Sequence, residues 1–341
     1  MDQLLRHHGD VDATPGLLDF AVNVRGSGPP AWLRERLVAA LDGLGRYPSA
    51  AQDAAARTAV AARHGRDPAE VLVLGGIAEG FALLPALAPR SAAVVHPSFT
   101  EPEVALRRAG IPVTRVLTDA AHRLQLAQVP AEADLVVLGN PTNPTSVLHP
   151  AEMLRALARP GRVLVVDEAF ADAVPGERES LAADHHTPGL LVFRSLTKTW
   201  ALPGLRAGYA LGAPGLLAQL AARRPSWPVS TLVLEVVRAC SAPVAVAQAT
   251  AGAAQAVRHR QWMARQLAEL PGVTVHQPAA APFLLLRVPA GERVRAALAD
   301  AGIAVRRADT FPGLTPDHLR VAVRPPEIAA VLVNALRAAL R

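Results

Sequence analysis

Between about residues 70 and 212, short β-branched and aliphatic runs alternate with longer segments rich in alanine, leucine and arginine. The runs are Val71–Leu74, Ala92–His96, Pro112–Val116, Leu135–Leu138, Val163–Val166, Leu190–Phe193 and Gly208–Leu211. Intervening segments such as Glu101–Ala109 and Ala151–Ala158 have helical length and spacing. Strand–helix alternation predicts an α/β fold with a mainly parallel seven-stranded sheet covered on both faces. In such sheets, ligands bind outside the carboxyl ends of the strands.

The texture changes after Pro225-Ser226-Trp227-Pro228. Ser230–Cys240 and Val244–Leu270 read as long helices. Short strands are expected at Val273–His276, Phe283–Val288 and Leu319–Val323, with helices at Glu292–Ala301 and Glu327–Leu340. This is a smaller α+β unit. Pro29–Leu41 reads as a helix that precedes the main alternation. The expected division is an arm with part of the small domain over 1–45, a large domain over 46–225 and a small domain over 226–341.

Composition closes several other routes. No run of about 18 apolar residues escapes a charge or a helix breaker, so no membrane span is expected. The opening Met1-Asp2-Gln3-Leu4-Leu5-Arg6 is not a signal peptide. A single cysteine, Cys240, excludes an internal disulfide and an all-cysteine metal site. No metal is expected, and the chain reads as cytoplasmic. The net charge is +6 and the pI near 10.7, which raises the question of nucleic acid. The arginines are dispersed, however, and the pairs Arg107-Arg108, Arg223-Arg224 and Arg306-Arg307 are short, without aromatic interleaving. Nucleic-acid binding is not expected.

Among 35 lysines and arginines only one is a lysine, Lys198. Arginine substitutes wherever positive charge suffices. It does not substitute where a primary amine must lose its proton and attack a carbonyl. A retained lysine therefore points to amine chemistry, a Schiff base with an aldehyde cofactor first of all.

Chemistry-bearing residues gather at the predicted strand ends. Gly75-Gly76-Ile77-Ala78 opens a helix with free backbone N–H groups, which suits a phosphate. Pro97-Ser98-Phe99 supplies an aromatic face. In Asn140-Pro141-Thr142-Asn143-Pro144, each asparagine is held extended by the proline after it. Asp167 ends a continuous apolar strand, where an acid needs a cation. A protonated pyridine nitrogen would be one. Lys198 has hydroxyls at Ser195 and Thr197 and a guanidinium at Arg206, groups that hold phosphates.

In that order, these residues resemble the fold-type-I pyridoxal-phosphate enzymes of the aminotransferase class I/II superfamily. The likeness runs from His8 to the C-terminal helix. It is sharpest in Ser195-Leu196-Thr197-Lys198 with Ala201, Pro203-Gly204-Leu205-Arg206 and Gly208-Tyr209. Within the superfamily the chain is most similar to the histidinol-phosphate aminotransferase and threonine-phosphate decarboxylase group. The resemblance implies pyridoxal 5'-phosphate as cofactor, with Lys198 as its Schiff-base lysine and Asp167 on the pyridine nitrogen. It implies Asn143 on the ring oxygen and Phe99 stacked on the ring. Ile77, Ala78, Ser195, Thr197 and Arg206 would hold the phosphate. Tyr47 would reach the cofactor of a second subunit in a homodimer with shared sites. Arg320 would grip a substrate carboxylate, and His8 and Asn23 would bind a phosphorylated amino acid or amine. Arg25, by its charge, is a further candidate for the substrate phosphate.

Three departures bear on the reaction. Phe170 stands where aminotransferases of the group usually carry tyrosine; the decarboxylase branch resembles this chain in carrying phenylalanine there. Ser146 replaces a usual glycine. Asn23-Val24-Arg25-Gly26 replaces the usual Asn-Glu-Asn-Pro or Asn-Ile-Asn-Pro. Phe170, Leu202-Pro203-Gly204-Leu205-Arg206 and the opening His8-Gly9, Asp19-Phe20 and Gly28-Pro29-Pro30 lean toward decarboxylation of threonine phosphate in cobalamin synthesis. The alternative is transamination of histidinol phosphate or another amino acid. One set of residues serves both, because the outcome depends on which bond at the substrate carbon stands perpendicular to the cofactor ring.

Overall fold

The computed structural model describes residues 2–341, with side chains from residue 4 onward. A two-residue strand, β1 (Leu18–Asp19), comes first. The seven expected strands follow as β2 (Val71–Leu74), β3 (Ala92–His96), β4 (Val113–Leu117), β5 (Leu135–Gly139), β6 (Val163–Asp167), β7 (Leu190–Ser195) and β8 (Gly208–Gly212). They form one sheet in the order β2-β8-β7-β6-β5-β3-β4. The strands from β4 to β7 are parallel, and β8 runs antiparallel to both its neighbours. β3, β7 and β8 are buried along their whole length. This is why their sequences are continuous apolar runs rather than alternating ones. β5, β6 and β7 lie side by side, so the segments that leave their carboxyl ends converge.

The later strands are β9 (Thr274–Val275), β10 (Phe283–Arg287), β11 (Ile303–Ala304), β12 (Arg306–Arg307) and β13 (His318–Ala322). Four of them form an antiparallel sheet in the order β12-β13-β10-β9. The helix Pro243–Ala268 is followed by Gly291–Asp300 and Pro326–Ala339, and all three pack on this sheet. Leu267, Leu284, Val321, Leu332 and Leu336 are among the buried residues that join them. Each such aliphatic side chain contributes roughly 1.5–3 kcal/mol by leaving water.

Two pairings were absent from the sequence reading. β1 pairs in parallel with β11, and β12 extends the small sheet from β13. A two-residue strand has no periodicity to read. The N-terminal segment serves both cores, since Phe20 joins the small-sheet cluster and Leu33 the large-sheet cluster. A helix over Ala50–His64 connects them to β2. It is fixed by a Ser49–Gln52 capping box and ends at Gly65 in a left-handed conformation.

Among the described residues no single helix is long and apolar enough to cross a membrane. Thr231–Cys240 and Pro243–Ala268 meet that length and composition only as a pair bent by 71°.

Candidate active site

Where β5, β6 and β7 end, a cavity of about 410 Å³ opens. Asp167 is the last residue of β6 and Ser195 the last of β7, and β6 and β7 pair with Asp167 opposite Phe193. Side chains alternate across a strand. Asp167 and Ser195 therefore line the cavity, while the neighbouring Glu168 and Arg194 meet each other on the far side.

The Asp167 carboxylate accepts one hydrogen bond, from the Ala169 N–H at 3.0 Å. Burial, with the like charge of Glu168, pushes its pKa up to about 7. Among the described residues it has no ion-pair partner, and the charge of Lys198 lowers its pKa without offsetting burial. Lys198 lines the same cavity, and its side chain makes no hydrogen bond among the described residues. Burial, Arg320 and Arg206 push its ammonium down to about 8 from the ordinary 10.5. Such an amine yields its proton near neutral pH and becomes a nucleophile.

Phe99 forms a wall on the loop after β3. It is braced by Phe81 and His8, at ring-centroid distances of 5.9 and 5.5 Å. The asparagines divide the labour. Asn140 is structural: it accepts from the His149 N–H at 2.8 Å and donates to the His149 carbonyl at 3.1 Å, pinning the loop. Asn143 lines the cavity and accepts from Arg320 Nη1 at 2.6 Å, which leaves its amide N–H₂ free.

Arg320, on β13, is only 5% exposed. It also donates to the Ala21 carbonyl. With its amide turned to face the guanidinium, Asn23 accepts from Arg320 at 3.0 and 3.3 Å. Burial and the nearby Arg306 push Arg320 down to about 9. It is a buried cation with no carboxylate in contact, among the described residues, and so is matched to an incoming anion.

Ile77, Ala78, Ser195, Thr197 and Arg206 all line the cavity. Gly76 has φ +82°, and a Cβ there would stand 3.0 Å from Arg206 Nη2. Only glycine allows both the conformation and the close approach of the guanidinium. Gly208 is paired with Ser195 and lies against Ile77. The backbone N–H groups, the hydroxyls and the guanidinium are therefore neighbours.

The N-terminal arm closes one side. His8 Nε2 bonds Glu101 Oε1 at 2.7 Å, and the Thr100 hydroxyl donates to the Leu5 carbonyl. Arg306 is a cavity residue that the sequence reading missed, since the Arg306-Arg307 pair was read as dispersed charge. Its guanidinium is 3.2 Å from Asp12 and stacks over Phe311 at 5.0 Å. Its strand, β12, is only two residues long, so no pattern in the sequence marks which arginine faces inward.

Tyr47 is not brought to the cavity. It is 73% exposed and stacks on Trp227 with centroids 4.3 Å apart. Arg25 is also absent from this cavity; it lines a second one. Phe170 presents a bare ring to the cavity and rests edge-on against Phe283 at 4.9 Å. Ser146 has φ +65°, which explains why glycine suits this position. The serine offsets part of the strain because its Oγ accepts from the Ala281 N–H at 2.8 Å.

The aminotransferase class I and II family matches residues 16–336 of the chain. A histidinol-phosphate aminotransferase of Mycobacterium bovis is 55% identical over 321 residues, covering 94% of this chain and 87% of the relative. A threonine-phosphate decarboxylase of Salmonella typhimurium is 33% identical, covering 94% and 90%. The crystal structure of the histidinol-phosphate aminotransferase from Clostridium acetobutylicum superposes with a TM-score of 0.86 at 21% identity. It covers 94% of this chain and 98% of that one, and it shares the fold.

Proposed function

The chain belongs to the aminotransferase class I and II family, whose cofactor is pyridoxal 5'-phosphate, and on that premise we propose that it is an aminotransferase acting on histidinol phosphate or a closely similar phosphorylated amine. The observation that carries the chemistry is one cavity holding an easily deprotonated amine, an acid and a buried cation, neither of the last two in an ion pair among the described residues. This donor set fits the cofactor. The unpaired Asp167 carboxyl suits a ring nitrogen, and the space at Gly76 beside Arg206 suits a phosphate.

Bound there, pyridoxal phosphate supplies an aldehyde and an electron-withdrawing ring that stabilises negative charge at the substrate carbon. Lys198 Nζ would hold the aldehyde end, and its amine is the group that would move a proton at the carbon bearing the substrate amine. Asp167 would keep a proton on the ring nitrogen. The free N–H₂ of Asn143 would donate to the ring oxygen, and Phe99 would cover the ring. Ile77, Ala78, Ser195, Thr197 and Arg206 would hold the phosphate. Arg320, set by Asn23 and Asn143, receives the substrate anion, which is a phosphate in histidinol phosphate and a carboxylate in an amino acid. His8 and Arg306 line the same side. Residues 46–225 serve as the cofactor-binding unit, and 226–341 with the arm 1–45 bring the substrate arginine. The exposed Tyr47 suits a homodimer in which it reaches the partner's cofactor phosphate.

Phe170 and the N-terminal residues lean toward the decarboxylase. Identity of 55% to the aminotransferase against 33% to the decarboxylase favours the alternative. A second reading survives on one observation, the bare Phe170 ring in the cavity. Two assays separate them. Holoenzyme with histidinol phosphate and 2-oxoglutarate should form glutamate over many turnovers. Sustained CO₂ release from L-threonine O-3-phosphate without any oxo acid would replace this reading with the decarboxylase.

A further inference from the structure

A second chamber of about 690 Å³ lies beside the catalytic cavity and shares Lys198, Asn23 and Phe170 with it. One wall is the long helix Pro243–Ala268, which presents Gln255, Ala256 and His259. The other wall is the arm around Arg25, whose backbone N–H donates to the Lys198 carbonyl at 3.0 Å.

The charges in this chamber are unevenly spent. Arg324 is committed to the backbone, donating to the carbonyls of Asp19, Val22 and Val24 at 2.9–3.2 Å. Asp19 accepts from the N–H groups of Ala21 and Val22 at 2.7 and 2.9 Å. Arg25, by contrast, has no side-chain hydrogen bond and no acidic partner among the described residues, and burial lowers its pKa without any compensating carboxylate. Its guanidinium lies directly on Gly252, where an added Cβ would stand 2.0–2.3 Å from guanidinium atoms. Gly252 precedes Gln255, Ala256 and His259 at helical spacing, so one face of the helix both seats Arg25 and lines the chamber. Glycine is costly within a helix, and here it makes room for a cation.

We propose that this chamber is an anion subsite in which Arg25 holds the distal carboxylate of a dicarboxylic amino-group partner whose amine end meets Lys198. The assignment rests on the aminotransferase reading. Such an enzyme handles two substrates of different shape in one place. Arg320 takes the anion nearest the amine, and Arg25 takes a second acid when there is one. Histidinol phosphate carries a single anion and does not need Arg25.

The test compares glutarate, with two carboxylates, and butyrate, with one, by calorimetric titration of the holoenzyme. This readout does not depend on turnover. Arg25→Gln should weaken glutarate roughly 10–100-fold relative to butyrate, the range for a lost charge-assisted contact. Gly252→Ala displaces the guanidinium without removing its charge, and should reproduce the loss in a helix that alanine favours. In turnover, both variants should lose efficiency with L-glutamate by a similar factor relative to histidinol phosphate. Equal losses for both acids, or none for glutarate, would overturn the subsite. If wild-type enzyme transfers no amino group, the aminotransferase reading fails, while the glutarate titration still decides the role of Arg25.

Discussion

Neighbouring residues on β6 and β7 meet opposite electrical conditions. On the face away from the cavity, Arg194 is 2% exposed and pairs with Glu168 at 3.1 Å, with Glu177 at 2.7 Å and with Asp172. Arg63 shares two of those acids, Asp172 at 2.8 Å and Glu177 at 2.6 Å. Every charge there is answered within the chain. One residue along, on the cavity face, Asp167 has a single backbone N–H, and the nearby Lys198 side chain has no hydrogen-bonded partner among the described residues. Both faces remove charge from water. The difference is that one face completes its interactions in folding and the other leaves them for a ligand. The paired face holds still the two strand ends that carry Asp167 and Ser195.

The sharpest way to break the contrast is at Lys198. Lys198→Ala should lower turnover by about 10⁴-fold or more, the upper range for losing a proton-transferring group, with folding intact. Thermal melting and steady-state kinetics together check this, and a melting point that fell with activity would place Lys198 with the structural charges. On the paired face, Arg194→Met should cost stability instead, by roughly 3–5 kcal/mol, because Glu168 is left buried without a cation and Asp172 and Glu177 keep only Arg63. Urea unfolding measures it, and a loss below about 1 kcal/mol would show the network to be dispensable.

The depressed Lys198 amine gives the next effect. Only the deprotonated amine attacks an aldehyde. Capture of pyridoxal phosphate by cofactor-free protein, trapped by borohydride, should therefore rise with pH through about 8, not 10.5. A midpoint near the ordinary value would mean the cavity does not perturb it. Asp167 gives a smaller effect of opposite character. Its folded pKa is raised, so its charge costs stability once the pH exceeds the unfolded value of 3.8, and the full cost is present above about 7. Asp167→Asn should thus raise the melting temperature of the cofactor-free protein at pH 8 by about 2–4 °C per kcal/mol relieved, and leave it unchanged below the unfolded value. The smallest change is expected at the exposed pair of Arg238 and Glu235, where Arg238→Ala should shift stability by less than about 1 kcal/mol.

Much of the site could be read in the chain because its residues sit at strand ends, where a break in an apolar run is conspicuous. Asp167 after Val163–Val166 and Ser195 after Leu190–Phe193 are such breaks. Arg306 was hidden because a cation on a two-residue strand has no pattern around it. Arg25 was noticed for its charge, but its place was not legible. Its seat is Gly252, more than two hundred residues later, on a helix whose sequence gives no sign of the contact.

The sequence alone determined the strand–helix alternation and hence a mainly parallel sheet, because burial on both faces demands unbroken apolar runs. It also singled out Lys198, because no other side chain in this arginine-rich protein offers a primary amine. Tertiary structure decided which charges are spent and which are free. Glu168 and Asp167 are adjacent acids with similar intrinsic chemistry, yet one meets Arg194 and the other an open cavity. It also decided that Arg320 and Arg306 come to the carboxyl ends of β6 and β7, and that Arg25 faces a separate chamber. These outcomes depend on long-range packing, and a pKa or a vacant hydrogen bond belongs to the surroundings of a residue rather than to the residue.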